Sequence, residues 1–160
     1  MSITIREYTQ ADLPAITEIW NEIIKEGNAF PQCKPLSKTE AEQFFASQSF
    51  TGVAEIDGET AGMYILHPNN TGRCGHICNA SFGVAEKARG KKVGEMLVRH
   101  CLKTAPEFGF RILQFNAVVS TNTAAVRLYE KLGFSYLGTV PGGFRADSGY
   151  KDINLYYKGL

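Results

Sequence analysis

The stretch that decides the fold is "TNTAAVRLYEKLGF", Thr121 to Phe134. Its apolar positions Ala125, Leu128, Tyr129 and Leu132 recur at helical spacing, and Gly133 follows as a C-terminal cap. The pattern predicts a short amphipathic helix with a core-facing residue at position 129. A leucine there would only fill space. The chain places a tyrosine instead, and an enclosed hydroxyl needs a partner.

Working outward, "RILQFNAVV" reads as the strand that precedes this helix. "FSYLGTV" and "YKDINLYYKG" follow as strands around a Gly/Pro loop. Towards the N-terminus, "ITIREY" alternates as a strand. "TQADLPAITEIWNEIIKEGN" is a helix with Leu13, Ile16, Trp20, Ile23 and Ile24 inward, opened by a Thr9/Asp12 capping box and closed by Gly27. "SKTEAEQFFASQ" is a second helix, capped by Ser37 with Glu40 three residues on. "FTGVAEIDGETAGMYILHP" predicts a hairpin turning at Asp57-Gly58. "GHICNASFGV" is a further strand, and "ARGKKVGEMLVRHCLKTA" a helix with Val93, Met96, Leu97 and Cys101 inward. The order β-α-α-β-β-β-α-β-α-β-β describes an α/β chain whose middle sheet is built from consecutive antiparallel strands. No internal repeat or low-complexity linker divides it, so residues 1–160 are expected to form one domain.

Composition narrows the function classes. With 17 Lys and Arg against 16 Asp and Glu, the chain has no global field to recruit nucleic acid or an anionic membrane. Any anion must be recognised locally. The N-terminal residues carry charge and no apolar signal core, and no apolar run reaches the length of a membrane span. A cytoplasmic chain is expected.

Four cysteines stand at 33, 74, 78 and 101. Without a secretory signal, reduced thiols are expected rather than disulfides. "CGHIC" would put Cys74, His76 and Cys78 on one side of a strand, a candidate set of three soft ligands. No fourth ligand follows at a recognisable spacing, so the favoured reading is structural thiols and no metal.

Local chemistry concentrates at "VAEKARGKKVGEML". A strand ends at Val84 and a helix is expected to begin near Gly90, with Lys87, Arg89, Lys91 and Lys92 around the junction. Cations at a helix N-terminus oppose its dipole. They suit that place if an anion sits there on free backbone N–H groups, with Gly90 clearing the approach. The bland alternative is a solvated basic turn, partly neutralised by Glu86 and Glu95. Neither a P-loop nor a dinucleotide fingerprint fits the glycine spacing.

Taken together, "VAEKARGKKVGEMLV" and "NTAAVRLYEKLGF" resemble the acetyl-CoA-binding core of the GCN5-related N-acetyltransferases. That family's pyrophosphate loop, Arg/Gln-x-x-Gly-x-Gly/Ala, is met by Arg89 and Gly94, with Lys92 standing where the middle glycine falls. Its next helix, Asn-x-x-Ala-x-x-Leu-Tyr-x-x-x-Gly-Phe, is met by Asn122, Ala125, Leu128, Tyr129, Gly133 and Phe134. The opening "ITIREYTQADLPAI" is similar to that family's first strand and helix. The resemblance implies a mixed, mostly antiparallel sheet flanked by helices. It also implies acetyl-CoA as donor co-substrate, held by Phe82, Val84, Arg89, Gly90, Lys91, Lys92, Val93, Gly94, Asn122, Ala125 and Tyr129. Tyr129 takes the role of proton donor to the departing thiolate, which its ordinary pKa of about 10 allows at neutral pH.

The substrate side, "GRCGHICNASFGV" and "FNAVVSTN", resembles a subgroup, the fungal L-azetidine-2-carboxylate N-acetyltransferases. The positions implied to hold the amine substrate are Asn79 and Asn116, whose amides donate to a carboxylate without adding charge. His76 and Asp152 are weaker candidates for proton acceptor or charged wall. The resemblance implies direct attack of a small amine on the thioester and allows a homodimer. A non-catalytic acyl-CoA sensor and a peptide N-terminal acetyltransferase are the alternatives.

Overall fold

The computed structural model describes residues 1–160. One seven-stranded sheet runs through it: β1 (Ile3–Glu7), β2 (Phe50–Ile56), β3 (Glu59–Pro68), β4 (Ile77–Val84), β5 (Ile112–Val119), β6 (Ser135–Ala146) and β7 (Gly149–Gly159). The strands lie in the order β1-β2-β3-β4-β5-β7-β6. Four helices interleave: α1 (Leu13–Glu26), α2 (Lys38–Ala46), α3 (Val93–Thr104) and α4 (Thr123–Lys131). The element order is the one read from the sequence. Of the six strand pairings, only β4 with β5 is parallel.

Local signals set most of these boundaries. Thr9 and Asp12 form their capping box around a short 3-10 turn, Gln10–Asp12, that leads into α1. Asp12 also closes a part-buried ion pair with Arg6 at 2.7 Å. The arginine's hydrogen bonds hold the Asp12 carboxyl down to about 2. Ser37 accepts from the Glu40 N–H, and Glu40 reaches back to the Ser37 N–H, opening α2. The hairpin turns at Asp57-Gly58, both in the left-handed region, as a two-residue turn between paired strands requires.

Three local expectations need correction. The helix after the basic junction starts at Val93, three residues later than expected, because Gly90 and Lys92 both have positive φ. Met96 is 39% exposed; the inward positions of α3 are Val93, Leu97, Val98 and Cys101. The Gly/Pro stretch after Val140 is not a loop. Strand β6 runs through Pro141 to Ala146, absorbing the missing Pro donor in a register shift between Val140 and Phe144. An edge strand tolerates this, since one side of its ladder is free.

Helices α1 and α2 cover one face of the sheet, α3 and α4 the other. A Cβ built on Gly83 would meet Ile23 and Ile19 of α1, whereas one on neighbouring Gly62 would meet Val93 and Leu97 of α3. Trp20, in tilted contact with Phe30 and Phe44 and edge-on to Phe45, anchors the first layer. Leu97, Val98 and Cys101, all fully buried, anchor the second. Each such side chain contributes about 1.5–3 kcal/mol on burial.

The feature that makes a site is a gap. Strands β4 and β5 are paired only at Ile77 with Ile112 and Cys78 with Leu113. Beyond those two steps they part. An extra residue in β5 between Phe115 and Val118, opposite β7, bends that strand further. The result is a slot through the sheet.

Candidate active site

The slot is a cleft of about 660 Å³ lined from both faces of the sheet. Its walls are Asn79–Phe82 and Val84 of β4 and Phe115–Val119 of β5. On the α3/α4 face it is completed by Gly94, Val98, Asn122, Ala125, Leu128 and Tyr129. On the α1/α2 face it is completed by Phe30, Gln32, Phe44, Gln48, Ile65 and His67. No Asp, Glu, Lys or Arg is among the lining side chains.

Tyr129 is fixed by the end of its own helix. The Phe134 N–H donates to the Tyr129 carbonyl at 3.0 Å and the Gly133 N–H to that of Glu130 at 3.1 Å. Gly133 sits at φ +83°, which closes a Schellman motif that few other residues could form. The Tyr129 ring packs against Phe115 at 4.3 Å and Phe134 at 5.4 Å between centroids. The apolar stripe of α4 is only half-buried: Ala125, Leu128 and Tyr129 pack against the core and also line the cleft.

The hydroxyl of Tyr129 makes no hydrogen bond within the chain, and the ring lines the cleft. Tyr64, on the same face, behaves differently: its hydroxyl is satisfied by His100 Nδ1 at 2.9 Å. Desolvation, with a smaller push from Cys101, raises the Tyr129 phenol well above its ordinary value. It therefore stays protonated and can donate.

The basic junction places its groups unevenly. The N–H groups of Gly90, Lys92, Val93, Gly94 and Glu95 have no partner in the chain, since the first bond of α3 is Met96 N–H to the Lys92 carbonyl. This is a bare helix N-terminus of the kind that holds phosphate. Lys92 adopts φ 65° and ψ 13°, the conformation its glycine counterpart would take freely, so the loop keeps its shape despite the larger residue. Lys87 is paired with Glu59 and Arg89 with Glu26. Glu95 is taken by Arg99 and by Lys131 of α4, so it does not neutralise the junction. Lys91 and Lys92 are left without an ion pair. Val93 is buried in the core and offers only its N–H. A Cβ on Gly94 would meet nothing closer than 3.7 Å, so packing does not demand the glycine; it keeps the cleft open.

Of the substrate-side candidates, Asn79 and Asn116 both line the cleft. Asn79 accepts the Ala80 N–H at 2.8 Å through Oδ1, exactly where β4 loses its neighbour, and its Nδ2 is unengaged. Asn116 sits on the β5 bulge and is held in a cluster of amides. Its Nδ2 donates to Asn69 Oδ1 at 2.6 Å, and its Oδ1 accepts from Gln114 and Asn69. His76 and Asp152 fall outside the cleft: the first is exposed ahead of β4, the second accepts the Gly142 N–H in the β6–β7 hairpin. The three soft ligands do not share a side. Cys74 is exposed on a 3-10 turn, whereas Cys78 is buried with its thiol donating to the Ile112 carbonyl.

The cleft takes in Gly94 in the first turn of α3 and the ring of Tyr129, and comparison with known proteins says what kind of protein carries it. The sequence signature of the acetyltransferase (GNAT) family matches residues 13–134. The chain belongs to this family. It is 33% identical over 90% of its length to N-acetyltransferase aca1 of Schizosaccharomyces pombe, covering 78% of that protein. It is 30% identical over 89% of its length to a phosphinothricin N-acetyltransferase of Alcaligenes faecalis, covering 75% of it. The fold superposes with a TM-score of 0.93 on a GNAT phosphinothricin acetyltransferase of Sinorhizobium meliloti solved with acetyl-CoA, at 23% identity, covering the whole chain and 89% of the other. The protein is thus a GNAT N-acetyltransferase that uses acetyl-CoA as donor. The bare amides, Lys91 and Lys92 suit the coenzyme's phosphates, and the apolar slot suits its pantetheine arm. No helix is long and apolar enough to cross a membrane.

Proposed function

We propose that this acetyltransferase acts on the amine of a small free amino or imino acid, a proline analogue being the model substrate, by direct attack on the thioester. The observation that carries the reading is the charge-free lining of the cleft. A polyamine or a lysine-rich peptide would bring a second ammonium into a site with no carboxylate to receive it. A small zwitterion needs only its carboxylate held, and amide donors do that: Asn79 Nδ2 is free for it, and Gln32 lines the same face. The relative that acetylates phosphinothricin supports a small-molecule acceptor.

In this reading the coenzyme lies on the α3/α4 face with its phosphates on the N-terminus of α3 and its thioester in the slot. The amine enters from the α1/α2 face, and its nitrogen attacks the carbonyl carbon. The C–S bond breaks, and the sulfur takes the Tyr129 proton. Asn79 orients the amine, and Asn116 holds the β5 wall through Asn69. The reading uses no covalent enzyme intermediate: no cysteine lines the cleft, Cys78 and Cys101 are buried, and burial pushes both of those thiols up, that of Cys78 to about 12. The reading keeps the chain in the cytoplasm, apart from membranes and nucleic acid.

Thiol release from acetyl-CoA, measured against L-azetidine-2-carboxylate, proline, phosphinothricin, common amino acids, polyamines and short peptides, tests it. Release dependent on amino or imino acids supports the reading. Saturable acetyl-CoA binding with no amine-dependent release would point to a sensor, and turnover of peptides alone to a protein substrate. Either would overturn it.

A further inference from the structure

His67 is the only imidazole in the cleft, and the sequence gives no reason to single it out. It stands near the end of β3, directly opposite Asn79 of β4 in the register. Side chains alternate along both strands, so His67, Ile65, Asn79 and Ser81 share the α1/α2 face, from which the amine enters. Tyr129 lies across the slot on the other face.

The ring's protonation is settled by one contact. Nδ1 lies 2.9 Å from the Pro68 carbonyl oxygen. A carbonyl can only accept, so Nδ1 must carry the hydrogen. In the neutral ring, Nε2 then holds the lone pair. Nε2 makes no hydrogen bond within the chain, and the ring lines the cleft. Half-buried, His67 is reachable by a ligand without being exposed to bulk water on all sides.

We propose that His67 is the proton acceptor for the amine, acting through Nε2 directly or through one water. This rests on the small-amine reading above. An amino acid arrives as an ammonium, which has no lone pair to attack with. His67 Nε2 takes one proton, leaving the neutral amine. The amine nitrogen forms its bond to the acetyl carbon, the C–S bond breaks, and the sulfur receives the Tyr129 hydrogen. The acetylated nitrogen then sheds its second proton, which restores the Tyr129 phenol. The proton on His67 leaves to solvent as the net product of the turnover. The two ends of the proton path thus lie on opposite faces of the sheet, with the acetyl group between them.

No other group offers this service on the amine side. No Asp, Glu, Lys or Arg lines the cleft, and Tyr129 is its only other titratable group. On β4, beside His67, the single titratable residue is Cys78, which by alternation faces the α3 layer. On β2, the other neighbour of β3, Glu55 lies at the far end and is paired with Arg6. In the layer above, Trp20, Phe44 and Phe45 present rings, and Gln48 an amide that cannot take the proton.

The test has two arms. With L-azetidine-2-carboxylate as acceptor, His67→Gln is expected to lower kcat/KM about 10²-fold or more at neutral pH, leave acetyl-CoA affinity unchanged, and flatten the lower limb of kcat against pH. His67→Ala is expected to regain part of its rate with added imidazole. Wild-type kcat/KM and an unaltered pH profile in His67→Gln would overturn the assignment. If the wild type turns over none of the amines in the panel, the small-amine reading itself fails. The second arm still decides the imidazole's part: ¹⁵N NMR of the wild type should show the neutral ring protonated at Nδ1. A ring protonated at Nε2 would overturn the proposal whatever the acceptor.

Discussion

Replacing Tyr129 by Phe separates the hydroxyl of this residue from everything else it does. The ring contributes the contacts to Phe115 and Phe134, and Phe keeps both. The hydroxyl has no partner in the chain, so its removal strands no buried donor or acceptor. Stability should therefore stay within about 0.5 kcal/mol of wild type. If the hydroxyl protonates the leaving thiolate, its loss removes a general acid, usually worth 10²–10⁴-fold. A coenzyme thiolate leaves tolerably without help, and a water can enter the vacated space. The lower end applies: kcat falls about 10²-fold, or about 2.7 kcal/mol of barrier. Acetyl-CoA affinity should barely change. Because burial holds the phenol protonated, wild-type kcat should show no alkaline loss from Tyr129 below about pH 10. The assay is thiol release against pH for both proteins, with thermal melts alongside. Full kcat in a well-folded Tyr129→Phe enzyme would refute the catalytic role and leave a cleft-lining ring.

Gly94→Ala should melt at or slightly above the wild-type temperature, since its Cβ meets no clash and Ala favours a helix by about 1 kcal/mol. It should nevertheless weaken acetyl-CoA binding in calorimetry several-fold, because the methyl intrudes on the cleft. Asn79→Ala leaves the Ala80 N–H without its acceptor, costing about 1 kcal/mol in urea titration. Its larger effect should be on the amine, with kcat/KM for the acceptor falling and KM for acetyl-CoA holding. The Asp12 carboxyl is lowered from 3.8 to about 2, so its contribution is complete above about pH 4 and is lost as pH falls towards 2. Arg6 is part-exposed, which limits that contribution to about 1 kcal/mol. Denaturant melts of Asp12→Asn should show a flatter acid limb than wild type in that window.

Much of this was legible in the sequence, for physical reasons that can be named. Capping boxes, a two-residue turn and a helix-ending glycine are local devices, and Thr9, Ser37, Asp57-Gly58 and Gly133 each act within a few residues of themselves. The coenzyme half of the proposed site is similarly local, being one loop and the start of one helix. The slot is not. It arises because β4 and β5 stay paired for only two steps, a relation between segments more than thirty residues apart. His67 was missed on the same account: its importance comes from its register with Asn79 and from one bond to Pro68, neither visible in a strand pattern. His76, between Cys74 and Cys78, is the histidine that the sequence pattern marks, and it lies outside the cleft. In the sequence the basic junction shows four cations around one anion site, yet two of the four are committed to Glu59 and Glu26. Partners distant in sequence decided that as well.

The central claim is that coenzyme and amine meet in the slot between β4 and β5 from opposite faces of the sheet. A crystal structure with acetyl-CoA and a non-reacting analogue of the acceptor tests it most directly. The account predicts pyrophosphate on the N–H groups of Gly90 and Lys92 to Glu95, sulfur within hydrogen-bonding reach of the Tyr129 hydroxyl, and the analogue beside Asn79 on the α1/α2 face. Sulfur remote from Tyr129, or both ligands on one face, would contradict it.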